Sequence, residues 1–147
     1  MSTDLRLVMA LTKAVNDLER IGDEAKTIAE KTLDIHARGG HLQGGIPLAV
    51  EQLAAIASQW VQSALDSLAR LDVDQAWILV RTDGADGVFQ DILRSLAASE
   101  PDGEPAVATV IDMALALKAL KRVADRAKNL AEYVIFVVEG QDVRHET

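Results

Sequence analysis

The chain has 147 residues, 49% of them hydrophobic but only 3% aromatic, with a formal net charge of −8 and no cysteine. That length describes one domain large enough for a core, and the composition makes that core aliphatic and alanine-rich, as suits a helical bundle. Disulfides and thiolate metal sites are excluded, and a reducing compartment fits.

The surplus of acid is local. Residues 39–104 hold ten acidic groups against Arg70, Arg81 and Arg94, whereas the flanking stretches are nearly balanced. With no basic patch to displace counterions, nucleic acid is not an expected partner. The acidic middle reads first as a solubilising surface and second as one that attracts cations. The start, Met1 to Arg6, lacks the basic-then-apolar order of a signal peptide, and the longest apolar run, Tyr133 to Val138, is too short to span a bilayer. The expectation is a soluble cytoplasmic protein.

In chain order, a first helix is expected from Thr3 or Asp4, either able to cap it, to Ala37. Gly39 to Gly45 form a glycine-rich link. Pro47 then opens a second helix that carries Leu48, Leu53, Ile56, Trp60, Ala64 and Leu68 inward and ends near Arg70. Leu71 to Asp74 make a tight link, with Asp72 as N-cap of a third helix over about residues 73–98. That helix contains Thr82-Asp83-Gly84-Ala85-Asp86-Gly87, whose interior glycines predict a bend or break. A loop from Ser99 to Pro105 precedes a fourth helix from about Ala106 to Glu139, closed by Gly140 as a left-handed cap. The fold class is therefore all-α, an antiparallel up-down four-helix bundle.

The first and last helices share a repeat. Leu18-Glu19-Arg20-Ile21-Gly22-Asp23-Glu24-Ala25-Lys26 through Glu30 recurs as Leu120-Lys121-Arg122-Val123-Ala124-Asp125-Arg126-Ala127-Lys128 through Glu132, at a constant offset of 102 positions. Val8, Leu11, Val15, Leu18, Gly22, Ala25 and Ala29 form one seam at alternating steps of four and three. Val110, Met113, Leu117, Leu120, Ala124, Ala127 and Ala131 form its counterpart. Leu7, Ala14, Ile21, Ile28 and Ile35 widen the first stripe. The small residues in each seam predict that the two helices pack on each other there.

Glu19 and Asp23 stand one turn apart, a spacing that can chelate a hard cation but more often marks plain helix surface. Lys121 and Asp125, at the same spacing, read as an ion pair. The Asp-Gly pairs do not make a calcium loop, because Asp83, Gly84, Ala85 and Asp86 lack alternating oxygen ligands and Arg94 holds the closing position. His36, His41 and His145 assemble neither a di-iron nor a phosphotransfer site, and Asp142-x-x-His145 lies past the helix-ending glycine. No phosphate loop or nucleophile elbow is present, and the two tryptophans, Trp60 and Trp77, read as anchors. The sequence points away from catalysis.

Asp4-Leu5-Arg6, Asp17 to Asp23, Leu65 to Ala76, Asn129 to Glu132, and Gly140-Gln141-Asp142-x-Arg144-His145 together resemble the PhoU family of phosphate-specific transport accessory proteins. The likeness covers essentially the whole chain. It implies a single PhoU-like domain over 1–147, with residues 1–38 as the motif helix of a first repeat and 46–147 as a complete second three-helix repeat. It implies negative regulation of phosphate uptake and starvation signalling, through contact with the phosphate ABC transporter ATPase and a sensor histidine kinase. It also implies iron or zinc clusters, with Glu19 and Asp23 as ligands of one and Asp125 of another, reached by Asp83 or Asp86. By the same resemblance two helices of the first repeat are missing, which leaves apolar surface on the first helix for a second copy to cover, so a homodimer is expected. A helical metal-binding module, or a scaffold homologue, is the rival reading.

Overall fold

The computed structural model describes residues 1–140; the signature residues Gln141 to His145, with the Asp142 and His145 pair, lie outside them. Five α-helices follow one another: α1 Thr3–Ala37, α2 Ile46–Arg70, α3 Val73–Arg81, α4 Ala85–Ala98 and α5 Glu104–Glu139. The expected third helix is α3 and α4 in line, interrupted at Thr82 to Gly84, where Thr82 turns extended and Gly84 adopts φ 122°. A side chain is strained at such an angle, so the glycine allows the interruption. The path is up-down throughout.

Local signals set most of the ends. Asp72 accepts from the Gln75 amide at 3.2 Å and starts α3, and Gly140, at φ 74°, closes α5. Pro47 sits in the first turn of α2. The cap of α1 is Ser2, whose hydroxyl accepts from Leu5 N at 3.2 Å, instead of Thr3 or Asp4. Ser2, Thr3 and Asp4 are all capable caps, and the helix takes the earliest.

α5 is the shared wall. Among the described elements it touches α1, α2, α3 and α4, whereas α1 touches α5 alone. α2, α3–α4 and α5 thus enclose a three-helix core of Leu53, Ala64, Leu79, Ile92, Leu117, Leu130 and Val134, and α1 lies antiparallel along the outside of α5. Leu48, expected inward, is 62% exposed on the first turn of α2.

Three polar ties fix the register of α1. At one end Arg6 Nε donates to the Val137 carbonyl at 3.1 Å. At the other, Arg38 donates to Thr109 Oγ1 at 3.2 Å and to Asp112 at 2.8 Å, with Lys31 3.8 Å from the same carboxylate. Gly40 lies so close to α5 that a methyl group there would collide with Thr109 Oγ1 and meet Ile35 Cγ2 at 3.1 Å. The middle tie is Asp17, described below.

The expected seam of α1 is overturned. Val8, Leu11 and Val15 are 61%, 44% and 63% exposed, Leu18 is 37% exposed, and Gly22, Ala25 and Ala29 face solvent. Contact with α5 is made by Leu7, Ala14, Ile21, Ile28 and Ile35, the residues expected to widen that seam, together with Ala10 and Asp17. The two stripes lie side by side on one helix, and tertiary cover decides between them. On α5 the counterpart seam is buried at Leu117, Leu120, Ala124, Ala127 and Ala131, but not against the α1 seam, whose small residues are exposed.

Candidate functional site

The interruption between α3 and α4 opens a cleft lined by Asp83, Gly84, Asp86, Lys121, Asp125 and Lys128 over the indole of Trp60. α5 supplies Lys121, Asp125 and Lys128 at steps of four and three, hence from one face. Lys121 Nζ lies 2.6 Å from Asp125 Oδ1 and 3.9 Å from Asp86 Oδ1, with its own side chain only 19% exposed. The i,i+4 pair read from the sequence is present, and it reaches across to α4.

Lys128 does separate work. Its ammonium donates to the Thr82 carbonyl and lies 3.4 Å from that of Val80, the end of α3 whose carbonyls an interrupted helix leaves unpaired. It also lies 4.8 Å from the centroid of Trp60, a cation–π contact. Positive charge at a helix C-terminus is favoured by the helix dipole, so one side chain satisfies the break and ties it to α5. The sequence showed Lys128 only as part of a repeated charged stripe; nothing local indicates that its partner is a carbonyl 46 positions away.

The five acidic residues singled out in the sequence fall in two places. Asp83, Asp86 and Asp125 share the cleft, whereas Glu19 and Asp23 stand on the exposed side of α1. The PhoU-type motif implies a metal cluster, so the fit can be examined. In the cleft Lys121 replaces the motif's Glu and puts an ammonium between Asp86 and Asp125, where a metal would have to sit. These residues do not fit a divalent cation. Among the described residues no three acidic or histidine side chains converge in a metal-holding group, so Glu19 and Asp23 have no third ligand among them. Another cleft, of about 590 Å³, lies between the Gln43 to Gln52 stretch and α4, and contains none of the five.

A polar cluster that sequence reasoning missed sits at the α1–α5 interface. Asp17, 3% exposed, accepts from Arg126 Nη1 at 2.9 Å, from Asn129 at 3.4 Å and from the Tyr133 hydroxyl. Glu24, two turns further along α1, lies 3.8 Å from Arg122. A signal did exist: Asp17 interrupts the apolar stripe Ala10, Ala14, Ile21, Ile28, and an acid at such a position needs a buried partner. Trp77 anchors α3 to the end of α5, donating to Glu139 at 3.0 Å with Arg81 stacked at 4.6 Å.

Comparison with known proteins places this geometry. The family model described as PhoU domain matches residues 1–32 and 50–134. The phosphate-specific transport system accessory protein PhoU homolog of Pseudomonas aeruginosa is 37% identical over 145 residues, 98% of this chain and 59% of that protein. The homolog from a Burkholderia species is 39% identical, covering 97% of this chain and 61% of its own, and PhoU of Escherichia coli is 30% identical over 98% and 59%. The crystal structure of PhoU from Pseudomonas aeruginosa superposes with a TM-score of 0.87 at 34% identity, covering 96% of this chain and 67% of that one. The chain therefore spans about three fifths of the length of the curated relatives it matches. On motif, fold and sequence together, the chain belongs to the PhoU family.

Proposed function

We propose that this chain is a non-enzymatic regulator of phosphate uptake and of phosphate-starvation signalling. It works in the cytoplasm by contact with the phosphate ABC transporter ATPase and a sensor histidine kinase. The observation that carries this reading is the match to phosphate-transport accessory proteins over 97–98% of the chain, with the fold of a PhoU structure over 96% of it. No described helix is long and apolar enough to cross a membrane, in keeping with action from one side of it. In this reading residues 1–147 act as one domain, α1 as the motif helix beside a three-helix repeat, and as a homodimer. The test is complementation: the chain is expressed in a strain lacking its phosphate-transport accessory protein and carrying a phosphate-starvation reporter. Restored repression at high phosphate is expected, together with capture of the ATPase and kinase by the purified chain. A reporter that stays fully on, with no capture of either protein, refutes the reading.

One observation favours a second reading, a metal-binding module. Glu19 and Asp23 are exposed one turn apart on α1, with Asp23 at the edge of a cleft that also holds Lys31, Lys118 and Arg122. Metal content of chelator-free protein, compared with a Glu19→Ala/Asp23→Ala variant, decides it. Stoichiometric iron or zinc lost in the variant supports the module, and no metal in either removes it.

A further inference from the structure

The cleft of about 590 Å³ between α2 and α4 lies on the side of the three-helix core away from α1. Small residues leave it open: Gly45 and Ala49 on α2, Ser95 and Ala98 on α4, at helical steps of four and three. Beneath them the floor is apolar, made by Ile46, Val88 and Ile92. The slot runs on into a cleft of about 250 Å³ at the loop before α5, the two sharing Gln43, Ile46 and Ser99. No α1 residue lines either part, so the opening does not depend on what packs against α1.

The charge along this groove has one sign. Its acids are Asp91, Glu100 and Asp102, and among the described residues no lysine or arginine lines it, His41 being the one base. Asp91 is answered from outside the groove by Arg94 at 2.9 Å, whereas Glu100 and Asp102 have no ion pair among the described residues. The acidic middle of the chain thus sets carboxylates beside an apolar slot.

We infer that this groove docks an amphipathic helix of a partner protein, its apolar side chains in the slot and its lysines or arginines against Glu100 and Asp102. This rests on the regulatory reading above and gives it a docking surface. The length fits: Val88 to Ala98 spans about 15 Å of α4, or about three turns of a helix laid alongside, the reach of anchors at i, i+3 or i+4, and i+7. The sign selects the partner, because an acidic or neutral helix would cover both carboxylates without a counter-charge.

The test measures binding of the purified phosphate-transporter ATPase, and of the cytoplasmic part of the sensor kinase, to the full chain by biolayer interferometry. Ala49→Arg and Ser95→Arg each put a long cation into the slot from a helix position with access to water. Each should weaken the complex by at least about tenfold with unchanged circular dichroism. Gln62→Arg, exposed on α2 outside the groove, should not. Glu100→Lys/Asp102→Lys should slow association and flatten its dependence on salt. Slot variants that bind as tightly as the parent overturn the docking surface and leave the regulatory reading standing. A parent chain that binds neither protein overturns both.

Discussion

Asp17→Ala is the sharpest probe of how α1 is held. The carboxylate is buried at the α1–α5 interface and accepts from Arg126, Asn129 and Tyr133, so its removal takes from the Arg126 guanidinium its charged partner. Breaking a buried pair by deleting one partner costs about 3–5 kcal/mol. Arg126 keeps 23% of its side chain exposed and can turn partly to water, which places the expected cost near the lower bound, about 3 kcal/mol. For a chain of this size that is a fall in Tm of roughly 6–12 °C. Urea unfolding with a double-mutant cycle isolates the term. Arg126→Met alone should destabilise, and Asp17→Leu/Arg126→Met should recover much of the loss, because the desolvated charge is then gone. Hydrogen exchange should show the loss concentrated in α1, which among the described elements touches α5 alone. A single-mutant cost under about 1 kcal/mol, or no coupling between the two positions, would refute the assignment of Asp17 as the middle tie.

Three further outcomes are expected. Lys128→Met keeps the aliphatic stem but removes the donor to the α3 carbonyls and the contact with Trp60; about 2 kcal/mol should be lost, with faster amide exchange around residues 82–84 and a changed tryptophan emission. Lys121→Glu converts the filled cleft into three carboxylates, Glu at 121 with Asp86 and Asp125, so zinc should bind by calorimetry and raise the Tm of the variant but not of the parent at that site. Unchanged calorimetry would show that the ammonium is not what bars a cation. Gly40→Ala should cost about 1–3 kcal/mol by forcing the α1–α2 link away from Thr109, measurable by thermal melting, whereas the same change at Gly45, where nothing lies within 4 Å, should be near neutral.

Much of the architecture was legible because local chemistry dictates it. Asp72 and Gly140 end their helices by cap geometry alone, and the Asp-Gly pairs at 83–87 announced the interruption of the third helix. The face of α1 was not legible. Two heptad stripes run side by side on it, and the spacing joins them into one broad apolar face, of which α5 covers only the half carrying Leu7, Ala14, Ile21, Ile28 and Ile35. The stripe that packs carries Asp17, whose acid is tolerable only because Arg126, more than a hundred residues later, supplies its partner. The candidate site divides the same way. Lys121 with Asp125 could be read from a spacing of four, but Asp86 against Lys121, and Lys128 against the end of α3, depend on how distant segments meet.

The order of the helices also sets a clock. Every side-chain tie between α1 and α5 spans 71 to 131 positions of chain, with the whole three-helix core encoded between them or in α5 itself. At about 5–20 residues per second of synthesis, α1 emerges several seconds before α5, the described helix it packs on. During that interval both its stripes are bare, the one destined for α5 and the one beside it. The buried acid in the first of them makes α1 a poor partner for nonspecific apolar contacts, so Asp17 keeps that face soluble until Arg126 is made.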